Sequence, residues 1–418
     1  MFLKKIKLTN LRCLENLELS FELEDKSIRK NTIVLGENGT GKSNLLKAIA
    51  LITAGSNTLS DLLGNPDDWL QYSKNYCEID ATLVTKTNSE KLMKLRIERG
   101  DGKKDVLLRN KDSLSEIDDA LKGTRQSYLI IGYGVSRRLN TKKGSRSSFD
   151  SFDDIRAQNV ATIFNPDAFL NPLESWAMDL DYQKGKAGIR IVRKTLNNFL
   201  HGAKFNSIDK RKKQLLFDTE DGIVPLEFLS EGYQNIAAWI GDLLYRVTEL
   251  SIDNTIPLNT RGVLLIDEVD LHLHPKWQRI LLNFIGKYLP NFQLIATTHS
   301  PLIAQQASEG ELYFLYRKGN NINLKEFGSA PKNLLIHQLL MTDSFGLETD
   351  ESVELEEKKA HYRKLRDKSK LTKTEEKQLH KLRRELSDLP ETTRSNMRYN
   401  DEHIKVLTQI RNELQKGS

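Results

Sequence analysis

Cysteine is nearly absent: Cys13 and Cys77 are the two in 418 residues. Two cannot form a disulfide framework or a zinc finger, and they fit a reducing, cytoplasmic setting. Long apolar runs are also missing. No stretch of about 18 apolar residues is available to cross a membrane as a helix. Met1 to Asn10 alternates Lys with Ile and Leu and carries no apolar signal-peptide core. Neither sign of charge is scarce, since Lys plus Arg number 63 and Asp plus Glu 57, a net charge of +6. That excess permits a phosphate-bearing partner without requiring one. No internal repeat is found. These absences exclude secreted disulfide-rich, fibrous and transmembrane classes. What remains is a globular composition, 38% hydrophobic and 29% charged, long enough for two to three domains at roughly 150 residues each.

Alternation predicts strands at Phe2 to Leu8 and Leu17 to Leu23, then a short apolar strand at Thr32 to Leu35. A glycine-rich loop follows, and then a helix over Asn44 to Thr53. Residues 55–70 read as a loop with short helices, and 77–98 as two or three antiparallel strands. Tyr128 to Gly132 is a further strand. It leads into Arg137 to Arg146, which holds five basic residues in ten and reads as a loop, solvated or touching nucleic acid. Residues 170–200 read as a helical insertion, Lys210 to Lys213 as a basic hairpin tip, and Ile236 to Leu250 as an amphipathic helix. Val263 to Ile266 and Gln293 to Thr297 read as buried parallel strands, with one helix, Trp277 to Leu289, between them. Residues 351–418 carry 17 Lys or Arg and 13 Asp or Glu, so they form a separate charged region. Its helices, Glu351 to Asp367 and Lys373 to Leu386, would make a hairpin, the second opened by a capping box at Thr372 and Glu375. Such helices are either a solvated face or a docking arm.

The chemistry concentrates in four places. Gly36-Glu37-Asn38-Gly39-Thr40-Gly41-Lys42-Ser43 fits G-x-x-x-x-G-K-[ST], between a strand and a helix as that motif requires. Its glycines let backbone N–H groups crowd around phosphates, and the positive helix end faces the same anion. Lys42 would reach the terminal phosphates and Ser43 would hold Mg²⁺. Val263-Leu264-Leu265-Ile266 ends in Asp267-Glu268. Asp267 can hold the Mg²⁺, and Glu268 can orient and deprotonate the attacking water. His299, after Leu294 to Thr297, can contact the γ-phosphate and that water. Ser230 and Gly232, in Leu229-Ser230-Glu231-Gly232-Tyr233-Gln234-Asn235, form either an anion site or an ordinary helix cap.

These elements in this order resemble an α/β ABC-type P-loop ATPase head: Walker A at 36–43, signature at 229–234, Walker B at 263–268 and a switch histidine at His299. The opening Ile6 to Arg12 is similar to that of the RecF/SMC-like branch. The likeness narrows at Asp267 to Gln278, Thr297 to Pro301, Phe228 to Asn235, Gly241 to Leu244 and Asn165 to Leu170 with Trp176. These segments resemble the PtuA ATPases of Septu and retron anti-phage defence systems.

The resemblance implies a mixed or parallel core sheet, an antiparallel β subdomain and a helical, basic insertion at about 136–228. The head would span 1–345, and the C-terminal helical hairpin lies within 346–418. It implies ATP and Mg²⁺ as cofactors, with Arg12, Gly36, Asn38, Gly39, Gly41, Lys42, Ser43 and Asn44 around the nucleotide. Ser43 and Asp267 would serve the metal, and Glu268 and His299 catalysis. It implies a homodimer through the ATP sites, or a higher assembly of such dimers, in which Ser230 and Gly232 act in trans. The partner it implies is a separate HNH nuclease of the PtuB kind, with a reverse transcriptase and its retron DNA as further candidates. A RecF/SMC-like repair ATPase touching DNA through its basic loops is the alternative, and an ATP-glued scaffold is another. No membrane contact is expected.

Two departures stand out. Glu231 replaces a signature glycine, and His274 sits where many such proteins carry aspartate. His272 and His274 are spaced to share a metal, but no third ligand is near, so a positional role is preferred. Gln71, Gln126 and Gln158 all remain open as the Q-loop residue. Asp179-Leu180-Asp181 is a D-x-D inside the head and is not read as a nuclease site. No D-x-D follows residue 340 and no H-N-H pattern occurs, so any nuclease is expected on another chain.

Overall fold

The strictest alternation in the sequence builds the first sheet. The computed structural model describes residues 1–53, 55–85, 88–122, 129–139, 155–200, 202–249, 261–271, 273–368 and 371–387. In it β1 (Phe2–Leu11) and β2 (Leu14–Ser20) pair antiparallel, Leu8 opposite Leu17. The strand β3 (Asn31–Gly36) runs into the helix α1 (Lys42–Ile52), followed by α2 (Ser56–Leu62). Then come β4 (Tyr76–Val84) and β5 (Glu90–Glu98); β4 alternates buried with half-buried residues throughout and β5 buries every second residue from Met93, which suits a sheet with one packed face. Together these strands form an antiparallel sheet in the order β2-β1-β4-β5. The helices α3 (Lys103–Arg109) and α4 (Lys111–Lys122) pack on β5 before the chain reaches β6 (Leu129–Tyr133).

The stretch expected to be a helical insertion is mixed. It holds β7 (Arg138–Leu139), α5 (Ile155–Phe164), β8 (Phe169–Leu170), α6 (Leu173–Lys184) and α7 (Lys186–Phe199). It also holds a three-stranded antiparallel sheet of β9 (Lys204–Asp209), β10 (Gln214–Thr219) and β11 (Gly222–Pro225). The basic residues 210–213 form its first turn, where Asp209 Oδ1 accepts from the N–H groups of Arg211 and Lys212. The helix α8 (Glu231–Glu249) begins five residues earlier than expected, so Glu231 to Gln234 of the signature form its first turn and Ser230 lies just before it.

The central sheet completes with β12 (Gly262–Ile266), α9 (Pro275–Gln278), α10 (Leu281–Tyr288), β13 (Phe292–Thr297), α11 (Pro301–Ala304), β14 (Leu312–Lys318) and β15 (Asn321–Glu326). The single helix expected between β12 and β13 is two. Gln306 explains the break: its amide donates to the Gln278 carbonyl and accepts from Leu282 N–H at 3.2 Å. Those are backbone groups that one continuous helix would satisfy within itself. The sheet order is β15-β14-β3-β13-β12-β6, all parallel except the edge strand β15. Every residue of β12 and β13 is buried, as expected of parallel strands covered on both faces.

The chain divides into two compact units, Met1–Lys332 and Asn333–Ser418. Among its described residues the second contains α12 (Ile336–Leu340), α13 (Val353–Arg366) and α14 (Lys373–Ser387), and α13 packs against α14. The expected capping box is present. Glu375 N–H donates to Thr372 Oγ1 at 3.3 Å, and Thr372 N–H donates to Glu375 Oε2 at 2.9 Å. Among the described residues no helix is long and apolar enough to cross a membrane.

Candidate functional site

Four neighbouring parallel strands end on one edge, because parallel pairing aligns their C-termini. Ile266 lies opposite both Ala296 and Tyr133, and Thr297 lies opposite Val34. The loops after β3, β6, β12 and β13 therefore converge, which is where open α/β sheets place their ligands.

The loop after β3 needs its glycines. Gly41, at the start of α1, has φ of 93°, and a Cβ there would lie 2.8 Å from Cys13 Sγ and 2.9 Å from Leu14 Cδ2. Lys42 is buried, and its ammonium donates to the carbonyls of Gly36 at 2.7 Å and Glu37 at 3.0 Å. Burial holds this ammonium below its ordinary pKa, while the charges of Asp267, Glu268 and Asp270 pull it the other way. The same three carboxylates therefore act electrostatically on the P-loop lysine. Ser43 and Asn44 are half-buried on the first turn of α1, and Asn38 and Gly39 are exposed on the loop.

Arg12 reaches this loop from the turn between β1 and β2. Its Nη1 donates to Asn44 Oδ1 at 2.9 Å, its Nε donates to the Asp68 carbonyl at 2.8 Å, and it stacks on Trp69 with 5.4 Å to the ring centroid. The structure thus brings Arg12 and Asn44 together at the start of α1.

The acids after β12 are tied to the strands on both sides. Asp267 is 4% exposed, and its N–H donates to the Tyr133 carbonyl at 2.8 Å. Thr297 Oγ1 donates to Asp267 Oδ1 at 2.5 Å and accepts from Glu268 N–H at 2.8 Å. Thr298 Oγ1 donates to Asp270 Oδ1. Glu268 has φ of 47°, left-handed and unfavourable for a residue with a side chain. His299, two residues past β13, is exposed at the same edge. Ser300 caps α11 by accepting from the N–H groups of Leu302 and Ile303.

Several important residues carried no clear signal in the sequence. Arg137 lay inside the expected basic loop, yet its guanidinium turns inward. Its Nη2 donates to the carbonyls of Asp267 and, at 2.7 Å, Glu268, and its Nε to that of Gly134 at 3.2 Å. Desolvation pushes its pKa down to about 10, against the pull of Asp267, Asp270 and Glu268. Residues 140–146 of that stretch lie outside the described residues. Thr297 was expected as a strand end within the segment of likeness, with no role of its own. A buried network behind the site was also not foreseen. Tyr133 Oη donates to Asp242 Oδ2 at 2.9 Å, Arg246 Nε donates to the same oxygen at 2.5 Å, and Asn171 Nδ2 donates to Asp242 Oδ1 at 2.7 Å. This network ties β6 to α8.

Other expected residues fall elsewhere. Ser230 is exposed and Gly232 half-buried at the start of α8. Among the described residues no hydrogen bond or ion pair joins them to the Walker A loop. Gln71 lies beside β1, its N–H donating to the Asn10 carbonyl at 2.9 Å, and Gln158 lies on α5, while Gln126 is outside the described residues. His274 caps α9, its Nδ1 accepting from Lys276 N–H at 3.3 Å, and His272 is outside the described residues. Among the described residues no group of three or more His, Cys, Asp or Glu is placed to hold a metal by itself. The D-x-D aspartates lie on α6, where Asp181 pairs with Lys210 at 2.5 Å.

Comparison with known proteins agrees with this geometry. Residues 1–128 match the family described as "AAA ATPase domain", and residues 137–304 match "AAA domain, putative AbiEii toxin, Type IV TA system". The solved SMC head bound to the C-terminal winged-helix domain of ScpA aligns over 80% of this chain and 100% of its own, with a TM-score of 0.50 at 13% identity. Sheet order and strand ends therefore place the fold in the class of SMC-type heads.

Within that class the sequence is similar to the Septu protein PtuA of Bacillus mycoides, at 26% identity over 83% of this chain and 45% of that protein. It is also similar to the retron Ec83 probable ATPase of Escherichia coli, at 31% identity over 32% of this chain and 25% of that protein. The matched segments thus span less than half the length of these two relatives.

Proposed function

We propose that this chain binds ATP with Mg²⁺, hydrolyses it in a dimer of ABC-type heads, and uses that cycle to regulate a separate nuclease in anti-phage defence. The observation that carries the reading is the convergence of Lys42 with Asp267, Glu268 and Asp270 at one sheet edge. A buried lysine opposite three carboxylates suits a phosphate chain and a divalent ion, since each supplies the counter-charge the other group needs.

The donor set fits Mg²⁺. Ser43 and Asp267 offer oxygen only, and a hard ion takes one or two protein oxygens with the rest from phosphate and water. Bound there, Mg²⁺ neutralises charge on the transferred phosphoryl group. The Walker A backbone from Gly36 to Gly41 would cradle the phosphates, and Lys42 would leave two loop carbonyls for phosphate oxygens. Asn38 and Asn44 would line the same cradle, with Arg12 fixed beside Asn44. Glu268 would take the proton of the attacking water. His299, exposed at the same edge, would contact the γ-phosphate.

Ser230 and Gly232 would complete the site of a second copy. Their position at a helix start, with Ser230 exposed and Gly232 half-buried, fits that role, as does Phe228 beside them, 73% exposed. The nuclease is assigned to a separate chain because the likeness is to Septu and retron ATPases. A PtuB-like HNH protein is the partner of that chemistry.

The test is to purify tagged Glu268→Gln protein from its native operon with ATP and Mg²⁺, and to identify every co-purifying chain. The expected result is a dimer or larger assembly holding a stoichiometric nuclease, with turnover lost relative to wild type. An ATP-locked dimer carrying nucleic acid and no nuclease would instead support the repair-type ATPase.

A further inference from the structure

We propose that Arg137 is a positioning residue for Glu268, clamping the main chain of the two acids so that the Glu268 carboxylate holds its direction. The inference rests on the hydrolytic role given to Glu268 above. Its observations are separate ones.

The first is the clamp itself. One nitrogen of the Arg137 guanidinium donates to two successive carbonyls, those of Asp267 and Glu268, and another donates to the Gly134 carbonyl at 3.2 Å. In an extended strand two adjacent carbonyls point opposite ways. Here both bond one nitrogen, because the chain leaves the strand at Glu268, which adopts a φ of 47°. That conformation is strained for a residue with a side chain, so the surroundings must hold it. The holds on the Glu268 backbone are Thr297 Oγ1 on its N–H, and Arg137 and Leu271 N–H on its carbonyl.

The second observation is where Arg137 comes from. It follows β6, whose last residue Tyr133 accepts from Asp267 N–H at 2.8 Å. Gly134 lets this segment pass, since a Cβ there would lie 2.0 Å from the Thr162 carbonyl oxygen. The clamp is thus anchored on the neighbouring strand and not on a free loop. The third is chemical. Asp270 shares this field, so Arg137 is a fixed cation beside three carboxylates. Its bonds to the two acids reach their carbonyls and leave the carboxylate of Glu268 for water.

The experiment compares wild type, Arg137→Lys, Arg137→Ala, Glu268→Gln and the double variant Arg137→Ala with Glu268→Gln. Steady-state ATP hydrolysis and the equilibrium binding of a non-hydrolysable ATP analogue with Mg²⁺ are measured on each. For Arg137→Ala we expect kcat to fall roughly 10–100-fold, as small misplacements of a catalytic group do. KM and analogue affinity should stay within about 3-fold, as for an interaction expressed in the transition state. Arg137→Lys keeps the charge but loses the planar fork, so it should recover little of the loss. The double variant should hydrolyse no more slowly than Glu268→Gln alone, because Arg137 acts through Glu268.

Arg137→Ala turning over like wild type would overturn the inference alone. So would a further loss in the double variant, or analogue binding and melting temperature falling in step with kcat. Wild type turning over no faster than Glu268→Gln would overturn the hydrolysis reading, and this one with it.

Discussion

At the scale of a residue, Gly41 and Arg137 show what a pattern of letters carries and what it omits. Gly41 was legible because its reason is local: the helix must start directly after a turn with positive φ. Its tertiary reason, the Cys13 and Leu14 side chains packed against it, adds to the local one. Replacing it with Ala sets both against the fold. Gly41→Ala is expected to cost about 1–3 kcal/mol in urea unfolding and to abolish binding of ATP with Mg²⁺, read by titration calorimetry. A Gly64→Ala control shares the positive φ but has nothing within 4 Å of the added Cβ. It should lose stability without losing binding. Arg137 could not be read this way. The partners that matter are the main-chain carbonyls of Asp267 and Glu268, some 130 positions away, and carbonyls are the same whatever the side chain. In the sequence it is one cation in a basic run.

At the scale of an element, helix and strand identity was legible where one period dominates. Both buried strands around the acids, the hairpin with the basic tip and the capping box at Thr372 follow from side-chain spacing alone. The helix after β12 was drawn too long because Gln306, from beyond the next strand, takes over its backbone bonds. The start of α8 lies earlier than expected because the motif, read as the segment that opens and caps the helix, already supplies its first turn. That helix also carries Asp242, fully buried and holding Tyr133, Arg246 and Asn171 at once. Removing one partner of a buried ion pair strands the other. Asp242→Ala should therefore cost about 3–5 kcal/mol in chemical denaturation. The pair replacement Asp242→Leu with Arg246→Met should cost much less, because it leaves no stranded charge. Equal losses in the two variants would show that the helix needs the polar network itself.

At the scale of the whole molecule, the head was legible as a class because its motifs report one geometry: parallel strand ends bringing a lysine, a hydroxyl and two acids together. Ser230 and Gly232 are the exception. They belong to the motif set, yet within one chain no described hydrogen bond or ion pair joins them to the Walker A loop. If each completes the site of a second copy, defects in the two half-sites must complement between chains. Take Lys42→Ala, which removes the phosphate lysine, and Ser230→Arg, which places a bulky side chain at an exposed position where it has room in the isolated chain. Each alone forms dimers with two broken composite sites and should show no turnover. In a mixed dimer the two defects fall together in one site, and the other site is intact. An equimolar mixture pairing at random makes half its dimers mixed, each with one working site of two. ATP turnover should then return to about a quarter of the wild-type rate, as symmetric pairing of identical faces requires. Activity that stays absent on mixing, with mixed dimers verified by tag pull-down, would place both halves of the site within one chain.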